Sequence, residues 1–368
     1  MQGIWKYHQW LPKMKEENRF TLGEGNTPLI PSRSIGRMLG LEQLYFKLEM
    51  LNPSGSYKDR FAACVVSDLQ QRGVPFCIAT SSGNTGAALA AYCAAAGIKC
   101  YMVVTDGAPA GKLQQMQVYG AETLMVRGFG LDSGVSARVM EGLSAICGKA
   151  GTAVQISAYQ FSPAAMEGVQ TIAYEIAEQL PAADAQVFSP AGGGGLTLAV
   201  GKGFSNYAAA FPDFKMPRLH CVQPVGNNTI AGALRKGASV AQAVSRSTTT
   251  ISGLQVPHII DGDAVLQICR ASGGTGYEVP DETVLDCQEK LAKMEGVFCE
   301  PAGAVALAGV VQALEKKEIR AGDPVVCLVT GHGFKEPVSA AAIAGRSYAA
   351  SFDQVADVFG YIQSRIND

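Results

Sequence analysis

Short apolar runs alternate with amphipathic stretches along nearly the whole chain, and this alternation constrains the fold more than any other feature. The runs YFKLEM (45–50), PFCIAT (75–80), KCYMVV (99–104), ETLMVRG (122–128), AVQIS (153–157), AQVFSP (185–190), RLHCVQP (218–224) and PVVCLVT (324–330) read as strands. Helical patterns fall between and after them, near 58–71, from 84 onward, and near 111–119, 132–149, 163–179, 281–295, 301–316 and 352–366. Strand-then-helix alternation implies parallel sheets covered by helices on both faces. The units are too many for one comfortable sheet, and two αβα layers with a cleft between them suit a chain of 368 residues better. With 48% hydrophobic and 17% charged residues, the chain can bury a sizeable core, which excludes a disordered protein.

A net charge of −2 offers no field for nucleic acid or an anionic membrane surface, so neither is expected as a partner. No run of about 18 apolar residues is present, and no membrane span is expected. The opening MQGIWKYHQWLPKMKEENRF carries charges and lacks the apolar stretch of a secretory signal, so a soluble cytoplasmic protein is expected. The ten cysteines form no C-x-x-C pair and stand mostly in apolar runs, as buried reduced thiols do. With four scattered histidines, no metal site is expected.

In parallel sheets, ligands bind beyond the carboxyl ends of the strands, so the loops there carry the chemistry. Three stand out. Asn52 to Arg60 (NPSGSYKDR) places Lys58 where a Gly/Ser-rich turn enters a helix. The helix dipole opposes a cation there and favours a neutral amine, which can attack an aldehyde; the alternative is a solvated lysine beside Asp59. Ser81-Ser82-Gly83-Asn84-Thr85-Gly86 offers hydroxyls and backbone N–H groups to an anion, or is an ordinary helix cap. Gly192 to Gly195 lie between a strand and a helix, where bare backbone can approach a phosphate. Neither this loop nor Gly107 to Lys112 satisfies a dinucleotide or Walker pattern, which weakens a nucleotide-binding reading. One lysine, one polar nest and one tetraglycine loop together suit a phosphorylated aldehyde.

The chain resembles the fold-type II pyridoxal-phosphate enzymes, an α/β class like the tryptophan synthase β chain, and within them the threonine synthase family. The resemblance rests on LGEGNTPLI (22–30), NPSGSYKDR (52–60), SSGNTGAALAAYCAAAG (81–97), GKLQQMQVYGAETLMVRG (111–128), EGVFCEPAGAVALAG (295–309) and TGHGFKEP (330–337), in the family's order. It implies two αβα domains with the cofactor in the cleft: a large one from 1–55 and 156–368, and a small mobile one from 56–155. It implies pyridoxal 5'-phosphate held through a Schiff base to Lys58, which also moves protons at the substrate. Asn84 would face the ring hydroxyl oxygen, Thr330 the ring nitrogen, and Gly192, Gly193, Gly194 and Gly195 the phosphate. A hydroxyl at 330 would leave the ring nitrogen largely unprotonated. Ser81, Ser82 and Thr85 would hold the substrate carboxylate. Glu300 is left open between a cofactor contact and a helix-starting acid, and His332 reads as structural. A homodimer acting on a small amino acid is implied.

The implied reaction is O-phosphohomoserine and water to threonine and phosphate. Two departures from the family pattern bear on it. Ala165 stands where an arginine usually grips the substrate phosphate, and the cofactor-phosphate loop is all glycine, as in serine and threonine dehydratases. Lys112, Arg60 or another basic residue could take its place. The alternatives are a dehydratase or ammonia-lyase, or a β-replacement synthase, acting on serine, threonine, O-phosphoserine or a relative. A non-catalytic amino-acid sensor on the same fold is a third reading, which retention of Lys58 disfavours.

Overall fold

The computed structural model describes residues 3–106, 110–130, 132–180, 184–346 and 350–366, without the side chains of 110–112. Its strands are β1 (Leu29–Pro31), β2 (Leu44–Leu48), β3 (Phe76–Ala79), β4 (Lys99–Val104), β5 (Glu122–Met125), β6 (Gln186–Pro190), β7 (Arg218–Pro224), β8 (Gly276–Val279) and β9 (Val325–Val329). The helices are α1 (Ile35–Leu39), α2 (Lys58–Arg72), α3 (Asn84–Ala96), α4 (Ala110–Val118), α5 (Ser133–Lys149), α6 (Pro163–Gln179), α7 (Gly195–Ala210), α8 (Ala231–Arg235), α9 (Gly262–Ala271), α10 (Asp281–Glu295), α11 (Pro301–Glu315), α12 (Pro337–Ala344) and α13 (Val355–Ile366).

Two sheets form. One has six strands in the order β1-β2-β9-β6-β7-β8, the other three in the order β3-β4-β5. Only β1 pairs antiparallel; every other pair is parallel. Parallel strands buried on both faces read as continuous apolar runs, as β9 (VVCLV) does. Its alternate residues divide between two cores. Val326 and Leu328 join α2, α3, α6 and α7 on one face; Val325, Cys327 and Val329 join α10 and α11 on the other. The same period sends Lys47 of β2 to the opposite face from Phe46 and Leu48, which lie in the α10–α11 core.

One expected strand is absent. AVQIS (153–157) makes a single bridge, Ala79 to Gln155, and then turns away to serve the site. The run 45–50 closes as strand at Leu48 and continues as a 3-10 turn, Glu49–Leu51. All ten cysteines are free and buried, as expected of reduced thiols in apolar runs. Among the described residues no group of His, Cys, Asp and Glu could hold a metal, and no helix is long and apolar enough to cross a membrane.

Candidate active site

The three singled-out loops and Thr330 follow β2, β3, β6 and β9, so the parallel arrangement carries them to the carboxyl ends of their strands. They converge on a cavity of about 510 Å³ lined by Lys58, Ser81, Ser82, Asn84, Thr85, Gly192 to Gly195, Glu300 and Thr330. Each site residue expected from the sequence is therefore in one place.

Lys58 opens α2, and its Nζ donates to Ser157 Oγ and stands 4.6 Å from the Tyr57 ring centre. Its backbone is tied to the Thr330 turn. Tyr57 N–H donates to Thr330 O at 3.1 Å, and Ser56 bridges Gly331. Lysine and threonine are thus held in register by main chain rather than by side-chain chance. In the second loop, Ser81 Oγ accepts from the N–H groups of Gly83 (3.3 Å) and Gly86 (3.2 Å) at the start of α3. Ser82 and Thr85 turn toward the cavity.

The glycine loop shows why these positions carry no side chain. Gly194 has φ of +98°, and α7 begins at Gly195. A methyl group on Gly194 would stand 2.8 Å from Val265 Cγ2; on Gly192, 3.1 Å from Gly253 O; on Gly193, 3.1 Å from Ile260 Cδ1. The bare backbone and the N-terminus of α7 form a cradle that side chains would fill, and it fits a phosphate group. Asp261 fastens the neighbouring loop by accepting from Tyr159 N (2.9 Å) and Gln160 N (3.1 Å), while its own N–H donates to Gly193 O (3.0 Å). Burial raises the Asp261 carboxyl, against the pull of those backbone donors.

Glu300 is 5% exposed and begins α11. Its carboxylate accepts from Asn84 Nδ2 at 3.0 Å to each oxygen, and from Thr330 Oγ1 at 3.5 Å. Burial raises its proton affinity, opposed by the Asn84 donor and the charge of Lys335. Its side chain therefore belongs to the cavity and does more than start a helix. His332 Nδ1 accepts from Phe334 N (3.3 Å) as a turn cap, consistent with a structural role.

Arg60 does not reach the cavity. Arg60 is fully buried and committed to Glu49 and Glu175 (2.7 and 2.6 Å), and the Lys112 side chain lies outside the described residues. Among the described residues lining the cavity, Lys58 is the only lysine or arginine. Ala165, on the first turn of α6, is half-buried and packs at the edge of the core.

The sequence reading passed over Ser157 and the segment Ser252 to Val256, which closes over the glycine loop. One signal marked the latter: residues 236–261 show neither helical nor strand period, and a long irregular stretch inside a compact domain is usually functional.

The family described as "Pyridoxal-phosphate dependent enzyme" matches residues 20–331. The chain belongs to the pyridoxal-phosphate dependent enzymes. Within that family it is 33% identical to a threonine synthase of Methanocaldococcus jannaschii over 340 residues, covering 92% of this chain and 82% of that one. It is 34% identical to a threonine synthase of a Bacillus species over 333 residues, covering 90% and 89%. These relatives place it in the threonine synthase family, as a pyridoxal-phosphate dependent lyase. Among solved structures, maize serine racemase superposes with a TM-score of 0.70 at 24% identity, covering 87% of this chain and 92% of that one. A fungal L-serine ammonia-lyase from Rhizomucor miehei gives 0.71 at 21% identity, covering 88% and 99%. At such identities these show the fold, that of fold-type II enzymes.

Proposed function

We propose that the protein makes threonine and phosphate from O-phosphohomoserine and water. The observation that carries this is the convergence of Lys58, the Ser81–Thr85 nest and the glycine cradle on one cavity, in a chain one-third identical to threonine synthases along nearly its whole length. When bound, pyridoxal phosphate supplies an electron sink for charge developing at the substrate α-carbon. Lys58 would hold the cofactor by a Schiff base, and its Nζ would take and return protons at the substrate Cα and Cβ. The N–H groups of Gly192 to Gly195 would hold the cofactor phosphate. Asn84 would face the ring oxygen and Thr330 the ring nitrogen. Ser82, Thr85 and the start of α3 would hold the substrate carboxylate, with Ser81 fixing the turn.

The unit 56–155 would be the small domain that moves on substrate binding; its separate three-stranded sheet supports that division. Arg60 anchors the first turn of α2 to α6 by buried ion pairs, so the pivot would lie beyond that turn. A homodimer is supported by apolar side chains left open at one end of the chain, among them Phe334 and Val338, 79% and 80% exposed. Ten reduced cysteines suit the cytoplasm.

One observation favours a second reading. A doubly charged phosphate is costly to hold in a cleft without a partner, and the described lining offers no cation besides Lys58. A substrate with a neutral leaving group, in a dehydratase, ammonia-lyase or β-replacement reaction, would need none. Cofactor-loaded protein incubated with O-phospho-L-homoserine separates the two. Equal amounts of phosphate and threonine, abolished in Lys58→Ala, support the first reading. Cofactor bound normally but no phosphate released moves the search to serine and threonine, assayed for ammonia and 2-oxo acid or for a β-substituted amino acid.

A further inference from the structure

Gln115 is the point where α4 meets the loop that carries Lys58. Its Nε2 donates to Ser54 O at 2.9 Å, and its Oε1 accepts from Lys335 Nζ at 2.6 Å. The amide fits only one way round: an ammonium accepts nothing and a carbonyl donates nothing, so Oε1 faces Lys335 and Nε2 faces Ser54. Ser54 is held from its other side by the wholly buried Asp59, which accepts from Ser54 N at 2.6 Å and from Ser54 Oγ. Lys335 reaches Gln115 across Gly55, where φ is +87° and a methyl group would stand 3.0 Å from Lys335 Cε. Lys58 follows at the start of α2.

The next residue of α4 faces the other loop. Met116 is wholly buried, and a methyl group on Gly86 would stand 2.7 Å from its Sδ and 2.6 Å from Ser81 O. The first turn of α3, which closes the Ser81–Thr85 nest, is therefore pressed against α4, and close packing passes a shift of one to the other. The lysine loop is also tied by main chain on its opposite side, Tyr57 N–H to Thr330 O at 3.1 Å and His332 N–H to Gly55 O at 2.9 Å. Adjacent side chains of α4 thus touch the nest and the lysine loop.

We propose that Gln115 is a positioning residue that makes the placement of the Lys58 loop depend on whether the nest holds a carboxylate. A carboxylate bound by Ser82, Thr85 and the start of α3 fixes the first turn of that helix. Met116 passes this to α4, and the Gln115 amide fixes Ser54 and with it the approach to Lys58. The lysine is then set for proton transfer when an amino acid occupies the cleft, and not when a simple amine does. Glutamine is needed because the bridge takes an acceptor toward the ammonium and a donor toward the carbonyl; a carboxylate of the same length supplies only the first. The proposal rests on the roles of the nest and of Lys58 given under the proposed function.

The test follows hydrogen–deuterium exchange of the holoenzyme alone, with L-threonine, and with 1-amino-2-propanol, which is threonine without its carboxylate. In wild type, threonine should slow uptake at least about fivefold in peptides covering both 81–86 and 52–57, and the amino alcohol in neither. Gln115→Glu keeps the bulk and the Lys335 contact but loses the donor to Ser54, and Gln115→Met loses both bonds. In each, threonine should protect 81–86 alone. Stopped-flow absorption gives a second readout. The rate advantage of threonine over the amino alcohol in displacing Lys58 from the cofactor should fall at least about fivefold in both variants, with the amino alcohol's own rate unchanged. Protection of 52–57 that persists in both variants overturns the proposal, as does an equal slowing of both amines, the mark of a merely structural residue. Absence of protection at 81–86 in wild type instead removes the nest from the proposed function, and this proposal with it.

Discussion

Replacing Arg60 with methionine should unbalance a closed set of buried charges. The guanidinium donates from Nε and Nη2 to the two oxygens of Glu49, both at 2.7 Å, and from Nη1 and Nη2 to those of Glu175 at 2.6 and 2.8 Å. Nη1 also donates to Thr171 Oγ1 at 2.8 Å. Lys47 completes the set, its Nζ donating to Glu175 Oε2 at 2.6 Å and to Thr27 O at 2.7 Å. Arg60 and Lys47 are wholly buried and the two acids nearly so, and two positive charges face two negative ones. Methionine has similar bulk, so the loss is mainly electrostatic, leaving one carboxylate uncompensated in the interior. Removing one partner of a buried pair costs about 3–5 kcal/mol. With a urea slope of about 3 kcal/mol/M, the midpoint should fall by about 1–2 M. Adding Glu49→Gln restores neutrality with Lys47 and Glu175 and should recover at least about 1 kcal/mol, a coupling expected of groups in direct contact. Urea titrations of the four proteins, followed by circular dichroism, supply the cycle. A cost below about 1 kcal/mol for Arg60→Met, or strict additivity with Glu49→Gln, would refute this reading.

Three further outcomes are expected. Gly194→Ala forces a side chain into φ of +98° and sets its methyl 2.8 Å from Val265 Cγ2; pyridoxal-phosphate affinity by fluorescence titration should weaken at least about tenfold, equivalent to about 1.4 kcal/mol, and an unchanged affinity contradicts the cradle. Ala165→Arg adds a cation on the first turn of α6, and the KM for O-phosphohomoserine should fall severalfold with serine kinetics unaffected; equal effects on both substrates contradict phosphate recognition there. The Asp59 carboxyl is raised by burial to about 7 from 3.8, against its bonds from Ser54, so between those values the native state holds a proton the unfolded state lacks. Apoprotein stability should fall as pH rises through that window, by up to about 1.36 kcal/mol per unit. Asp59→Asn should flatten the fall, and urea midpoints that rise from pH 5 to 7 would count against it. Glu175 acts in the opposite sense. Burial raises its carboxyl, but Arg60 and then Lys47 outweigh burial and hold it well below the usual range, so its contribution is full above 4.5 and is lost only in stronger acid.

The parts of this molecule that were legible in its sequence are those set by local rules. Strand period and turn chemistry marked where chain passes from sheet to helix, and parallel pairing then gathered those loops at one end without further instruction. AVQIS failed because alternation states that a segment can pair, not that an edge awaits it; Gln155 finds one rung beside Ala79, and Ser157 is spent on Lys58 instead. Glu300 and Arg60 were harder, since their partners lie far along the chain. Asn84 stands 216 residues from Glu300, and Glu175 stands 115 from Arg60. Which charge meets which is decided by the order of strands in the sheet, and no local pattern encodes that order. The reading of Arg60 as a free cation for substrate phosphate failed for this reason. A basic residue beside Lys58 looks catalytic in one dimension, yet the face of α2 it occupies points at α6, where Glu175 stands. The same logic gives Ala165 its weight. Arg60 is already spent on Glu49 and Glu175, so a cation for a substrate phosphate must come from a residue outside the described lining, or the substrate carries no such phosphate.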